Sequence, residues 1–146
     1  YIRQLGDYKV VQDNILKVKD HPKLYKMVGA LTLQVYNIWF MPEIAQDFQD
    51  MGIDLHSHRV NYPTFLDCRV IPPAFKQKII NKLRLSKFAN NDHFMDAINT
   101  LNGDMTHLIP EFIEFSDTLD VKQQVDISWR DLLPEMADEM EAFVAK

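Results

Sequence analysis

Residues 25–36 read YKMVGALTLQVY, a run with almost no charge after Lys26 and many β-branched and aromatic residues. A continuous run of this kind is typical of a strand buried on both faces, as in a parallel sheet. Residues 53–60, IDLHSHRV, alternate apolar and polar side chains and predict a second, shorter strand. Because the residues between these two strands predict a helix, the segment indicates an α/β fold.

Helical patterns precede and separate the two strands. Apolar residues at helical spacing predict a helix at Tyr8–Val18, which ends before Pro22. A second helix is predicted from Met41, where Pro42 suits the first turn, to Gly52, which can adopt the left-handed C-cap. The order helix, strand, helix, strand is typical of a β/α repeat.

The chain after Pro63 predicts helices and loops alone. An extended link is expected at 66–73, followed by helices at 74–85, 92–101, 106–119 and 128–145. The residues of the last helix expected to face the core are Leu132, Leu133, Met136, Met140 and Phe143. We expect one α/β domain over residues 1–146, a partial (β/α) barrel fragment with few strands at 1–63 followed by a helical tail region at 64–146.

Composition excludes several classes of protein. With 146 residues, 47% of them hydrophobic, the chain can bury a core, and its net charge of −5 argues against a general nucleic-acid binder. No apolar run reaches the roughly 18 residues of a membrane helix. A single cysteine, Cys68, excludes an internal disulfide and a self-contained iron–sulfur site, and favours a reducing, cytoplasmic setting. Because the sequence opens at Tyr1 rather than Met, we expect a fragment of a longer protein.

Asp54, His56 and His58 form the most conspicuous local pattern. Residues two apart on a strand face the same way, so these three could point at one metal ion, and carboxylate and imidazole suit zinc, manganese or iron. The segment DLHSH is similar to the first metal-binding strand of amidohydrolase-type hydrolases. Only His93 and His107 follow as later histidines, both on predicted helices, so a solvated strand face without a metal is the favoured interpretation.

Polar residues follow both predicted strands. Gln34 and Asn37 come after the first strand, and Asn61 comes after the second. Ligand-binding groups of β/α folds gather at the carboxyl ends of strands, so these side chains are candidates for a binding site. The alternative for Asn37 is a turn in which its side chain bonds its own backbone. Cys68 has no adjacent base and is expected to be a small apolar filler.

Three longer stretches carry a family resemblance. They are LTLQVYNIWFMPEIAQDF at 31–48, HSHRVNYPTFLDCRVIPPAFKQKIINKL at 56–83 and FIEFSDTLDVKQQVDISWRDLLPEM at 112–136. In order and spacing they resemble the C-terminal part of radical S-adenosylmethionine proteins, of the twitch-domain type common in phage and marine metagenomic sequences. The likeness extends from about Tyr8 to Phe143.

The resemblance implies a partial β/α barrel that binds a [4Fe–4S] cluster and S-adenosylmethionine at the carboxyl ends of its strands. It implies that the cluster reduces the sulfonium, and that the deoxyadenosyl radical then released takes hydrogen from a substrate. It places Gln34 and Asn37 near the ribose or methionine part of the cofactor and Asn61 near the adenine, with Lys122 an approximate match to a basic residue of the family. The chain departs from the family in having no CxxxCxxC motif. The expected partner is therefore the upstream part of the same polypeptide.

Three hypotheses follow. The leading one is a C-terminal fragment of a radical S-adenosylmethionine enzyme, inactive alone, that contributes residues to the cofactor rim. The second is a piece of a metal-dependent hydrolase that uses Asp54, His56 and His58, and the third is a non-enzymatic helical interaction protein. An isolated half-barrel would expose a sheet edge, through which copies of the fragment could pair, so a homo-oligomer is a further possible partner arrangement. Neither nucleic acid nor a membrane is an expected partner.

Overall fold

The computed structural model describes residues 8–123 and 127–145, so residues 1–7, 124–126 and 146 of the expected domain lie outside the described part. The helices are α1 Tyr8–Val18, α2 Met41–Asp50, α3 Pro73–Leu85, α4 Asp92–Leu101, α5 Ile109–Gln123, α6 Trp129–Leu132 and α7 Pro134–Val144. The strands are β1 Val28–Leu33 and β2 Asp54–Arg59. The protein is mixed α/β and mostly helical, as the sequence predicts.

β1 and β2 pair in parallel, from Val28 opposite Asp54 to Leu33 opposite Arg59. Helix α2 lies between them in the chain, which makes a β–α–β unit. It ends at a turn in which Gly52 has a φ of 70°, the left-handed conformation expected there. Among the described residues the sheet has these two strands and no others, which show a β/α unit but do not by themselves show a partial barrel.

The sheet is covered on one face. On β1, Gly29 and Leu33 are buried toward the helices, and an ideal Cβ on Gly29 would lie 2.1 Å from Cε1 of Phe48 in α2. On the opposite face Val28 and Ala30 are exposed. The prediction that β1 is buried on both faces is therefore wrong for the described part of the chain, because no described helix covers Val28 and Ala30 on that face.

A single hydrophobic core joins the β/α part to the helical tail region. It contains residues from 33–60 as well as from every later helix. The largest fully buried side chains include Trp129, Phe112, Ile38, Met41, Ile71 and Ile79. Phe112 connects the two parts, since its ring lies 5.2 Å from that of Tyr36 and 5.4 Å from that of Trp129.

Three elements of the second half differ from the prediction. The helix predicted at 106–119 is a 3-10 turn at Thr106–Leu108 followed by α5. The link at 66–73 contains a 3-10 turn at Cys68–Val70, stabilised because the Asp67 carboxylate accepts a 2.9 Å hydrogen bond from the Arg69 backbone N–H. The helix predicted at 128–145 is divided at Leu133, whose φ of −144° and ψ of 76° are not helical. Pro134 is the physical reason, because a proline disfavours the helical conformation of the residue before it.

The core residues predicted for the last helix are confirmed except at its end. Leu133, Met136 and Met140 are buried and Leu132 packs against the core, but Phe143 is 39% exposed. Helix α1 has the predicted bounds and no buried residue. No helix in the described ranges has both the length and the apolar character needed to cross a bilayer.

Candidate functional site

The carboxyl edge of the sheet is built around Asn37. Its side-chain Nδ2 donates to the Thr32 carbonyl oxygen over 2.9 Å, and its Oδ1 accepts from the Gln34 backbone N–H over 3.0 Å. These two bonds make the turn that ends β1. The Asn37 side chain is therefore bonded to nearby backbone groups, which is the alternative to a ligand-binding role. The turn also fixes the backbone of Gln34, the next candidate residue.

Gln34 and Asn61 have side chains that contact no hydrogen-bond partner among residues 8–123 and 127–145. Gln34 is half-buried and Asn61 is exposed. Both follow strands whose ends are held together, because the Val60 N–H donates to the Leu33 carbonyl oxygen over 3.0 Å. The two amides are therefore presented at the same edge of the sheet, with donor and acceptor capacity available to a ligand.

Asp67 stabilises this edge and was not anticipated from the sequence. It is 2% exposed, and its carboxylate is 3.0 Å from Nε of Arg69 and 3.3 Å from Nε of Arg59. Burying a carboxylate is costly unless hydrogen bonds and charged partners compensate for the lost water. The only sequence signal was the Asp-x-Arg spacing, which is typical of a side chain that caps a turn.

The uncovered side of the sheet, here called the open face, carries Val28, Ala30, Thr32, Asp54, His56 and His58. Thr32 Oγ1 and His58 Nε2 lie 2.8 Å apart across the two strands. Asp54 forms an ion pair with Lys26 at 2.7 Å, and the hydrogen bond and charge of Lys26 lower the pKa of that carboxyl. The three residues predicted to share a strand face do share it, but two of them bind other side chains.

His56 packs against a histidine of α4. The rings of His56 and His93 are 5.1 Å apart and tilted by 35°. Nδ1 of His93 accepts the Ser57 backbone N–H over 3.2 Å. In the neutral imidazole one ring nitrogen accepts and the other carries the proton, so this bond places the His93 proton on Nε2.

The described ranges contain no group of three or more His, Cys, Asp or Glu side chains placed to hold a metal ion. Asp54, His56 and His58 point from one strand face but are not gathered around a common point. His93 does not complete them, because the nitrogen of its ring that is not bonded to Ser57 carries a proton.

Cys68 is fully buried, as expected for an apolar filler. Burial, with a smaller contribution from the neighbouring Asp67 charge, raises the pKa of its thiol to about 12. The thiolate is the reactive and metal-binding form of cysteine, and burial disfavours that form at Cys68.

No protein-family model, no curated protein and no solved structure matches the chain.

Proposed function

We propose that this chain is the C-terminal part of a radical S-adenosylmethionine enzyme and contributes residues to the rim of its cofactor site. The observation that carries the proposal is the open face of a parallel β–α–β unit, with polar groups along it and at its carboxyl edge. A two-stranded parallel sheet is normally covered on both faces, whereas the interior of a larger β/α barrel can hold a polar ligand.

The outer edge of β1 supports a continuation of the sheet by the upstream part of the same polypeptide. β1 pairs with β2 on one side, and no described strand lies on its other side. The sequence VGALTL contains no charge and no proline, the devices that protect natural edge strands from pairing. A further parallel strand beside β1 would satisfy its backbone and extend the open face.

Helix α1 supports the same arrangement. Val10, Val11, Leu16 and Val18 are between 43% and 53% exposed, although their spacing is that of a helix with an apolar face. α1 contacts α2 through a 3.0 Å hydrogen bond from the Tyr8 hydroxyl to Asp47. A neighbouring helix of the upstream polypeptide would cover the exposed valines.

The cofactor and the cluster fit this chain differently. A [4Fe–4S] cluster of this family needs three thiolates, and the one cysteine here is buried, so the cluster does not fit residues of this chain. The carboxyl edge does fit S-adenosylmethionine, because the side chains of Gln34 and Asn61 can each donate and accept a hydrogen bond. When bound together, cofactor and cluster would supply the radical chemistry.

The three candidate residues have different roles in this proposal. Gln34 and Asn61 contact the cofactor with their side-chain amides. Asn37 acts as a positioning residue. Its side-chain amide is bonded to the backbone of Thr32 and of Gln34, and so it fixes the position of the Gln34 Cα from which the side chain extends.

The proposal is tested in the parent protein. Its reading frame should encode a three-cysteine CxxxCxxC motif roughly 100 to 150 residues upstream, about one domain length. After anaerobic reconstitution, equilibrium dialysis with S-adenosylmethionine should give a Kd raised about tenfold by Gln34→Ala or Asn61→Ala, which corresponds to one lost hydrogen bond. Asn90→Ala, at an exposed turn, is the matched control. A frame without the motif, or unchanged Kd values in both variants, would contradict the proposal.

A further inference from the structure

A cavity of about 450 Å³ lies at the amino end of β2, the end of the strand opposite to the carboxyl edge. Its walls come from α2, β2 and the start of α4. The apolar lining consists of Ala45, Ile53, Leu55, Phe88 and Phe94. The rings of Phe88 and Phe94 are 5.5 Å apart and tilted by 31°, so together they form an aromatic wall. This volume and lining are typical of a site for a small organic molecule.

The polar part of the lining consists of Gln49, Asp54, Asn91 and His93. Each of these residues already uses an acceptor atom within the protein. Gln49 Oε1 accepts from Lys87 Nζ at 2.6 Å, and Asn91 Oδ1 accepts from the His93 backbone N–H at 2.9 Å. Asp54 is paired with Lys26 at 2.7 Å.

The hydrogen-bonding groups left over are mostly donors. His93 Nδ1 accepts from Ser57, so Nε2 carries the proton. The side-chain NH₂ groups of Gln49 and Asn91 remain as donors once their oxygens are bonded. A ligand of this cavity therefore has to supply an acceptor oxygen to the donors and a flat apolar body to the aromatic wall.

Charge decides which kind of acceptor is favoured. Asp54 is paired with Lys26 on the open face, and Lys87 Nζ donates to Gln49 Oε1, so two lysines lie close to the lining residues and already have partners. A ligand carboxylate would compete with Asp54 and Gln49 for these two lysines, whereas a neutral carbonyl oxygen would leave both contacts in place. We propose that this cavity binds a small aromatic molecule that carries an uncharged carbonyl group, with His93 donating to the carbonyl oxygen. The proposal is independent of the carboxyl edge and of any cofactor there.

Acetophenone is a suitable probe, because it has an aromatic ring, one carbonyl oxygen and no donor. Titration followed by amide chemical shifts should give saturable changes at Leu55, Phe88 and Phe94 with a Kd on the order of 1 mM, as expected for a ligand of this size. Ethylbenzene has the same carbon frame without the oxygen and is also uncharged, and should bind at least tenfold more weakly.

Two pairs of variants locate the site. Ala45→Met fills the cavity from α2 and should abolish the shifts, whereas Ala74→Met, at an exposed position of α3, should leave them unchanged. His93→Phe keeps a ring and removes the donor, and should raise the Kd at least fivefold relative to His107→Phe. The proposal is overturned if acetophenone gives no saturable shifts, if ethylbenzene binds equally well, or if Ala45→Met binds acetophenone like the unmodified chain.

Discussion

Asn37 Nδ2 donates a 2.9 Å hydrogen bond to the carbonyl oxygen of Thr32, the last but one residue of β1. Together with the bond from Gln34 N–H to Asn37 Oδ1, it ends the strand and starts the connection to α2. Asn37→Ala removes both bonds and leaves two half-buried backbone groups without their partner. We expect the free energy of unfolding to fall by about 2 kcal/mol, measured by urea denaturation.

The comparison for Asn37 is Asn61→Ala. Asn61 is exposed and contacts no hydrogen-bond partner in the described part of the chain, so its removal should change stability by less than about 0.5 kcal/mol. Equal stabilities of the two variants would contradict the structural role given to Asn37.

Gly29 is required by the position of Phe48. An added Cβ would lie 2.1 Å from the nearest ring atom of Phe48, so the ring or the strand has to move. We expect Gly29→Ala to lower the free energy of unfolding by about 1–3 kcal/mol through overpacking. In a Phe48→Leu background, Gly29→Ala should lower the free energy of unfolding by less than it does in the unmodified chain. If the loss is the same in both backgrounds, the contact is not its cause.

Tyr36 makes stability depend on alkaline pH. Burial raises the pKa of its phenol to about 12, and the hydroxyl lies 2.6 Å from Ser116 Oγ. Between pH 10 and 12 the unfolded tyrosine loses its proton while the folded one keeps it, so the unfolded chain binds fewer protons and stability falls as the pH rises. The loss attributable to this residue is at most about 2–3 kcal/mol.

The measurement for Tyr36 is urea denaturation at intervals from pH 9 to 12. Tyr36→Phe should remove this part of the decline, although it also loses the hydrogen bond to Ser116. Tyr25→Phe is the control, because Tyr25 is fully exposed and its removal should leave the slope unchanged. The same slope in Tyr36→Phe and the unmodified chain would refute the assignment.

Elements with a strong local signal could be predicted from the sequence. The bounds of α1 and of α4 at Asp92–Leu101 match the prediction, because apolar spacing acts within a few residues. The capping residue of α4 is Asn91, one position before the Asp92 that the sequence suggested. Burial was harder to predict. The apolar composition of β1 indicated cover on both faces, but cover depends on which elements pack there, and no described helix covers Val28 and Ala30.

The placement of the candidate residues on the strands was predicted in part. Alternation correctly placed Asp54, His56 and His58 on one strand face, since the side-chain period of a strand is local. Their partners could not be predicted, because Lys26, Thr32 and His93 reach them through the parallel pairing and the packing of α4. Asp67 was missed for the same reason, as Arg59 meets it only after the strand and the following turn have folded together.

Helix α1 should be the least protected helix of the isolated chain. None of its residues is buried, whereas Ile79 and Leu83 of α3 are fully buried. We expect amide hydrogens of α1 to exchange much faster than those of α3, because opening α1 exposes little additional apolar surface. Hydrogen exchange followed by mass spectrometry measures this difference directly, and equal protection of the two helices would contradict it.

Substitutions on α1 separate the isolated chain from the larger protein proposed for it. In the isolated chain, Val11→Ser and Val18→Ser should each change the free energy of unfolding by less than about 0.5 kcal/mol, because both side chains already face solvent. Ile79→Ala, the buried control in α3, should cost about 2–5 kcal/mol. If a preceding helix covers α1 in the parent polypeptide, the same valine substitutions there should cost about 1–2 kcal/mol each, since the valines are then removed from water. Equal, small effects in both contexts would mean that α1 stays uncovered, and the upstream polypeptide would then have to meet this chain through β1 alone.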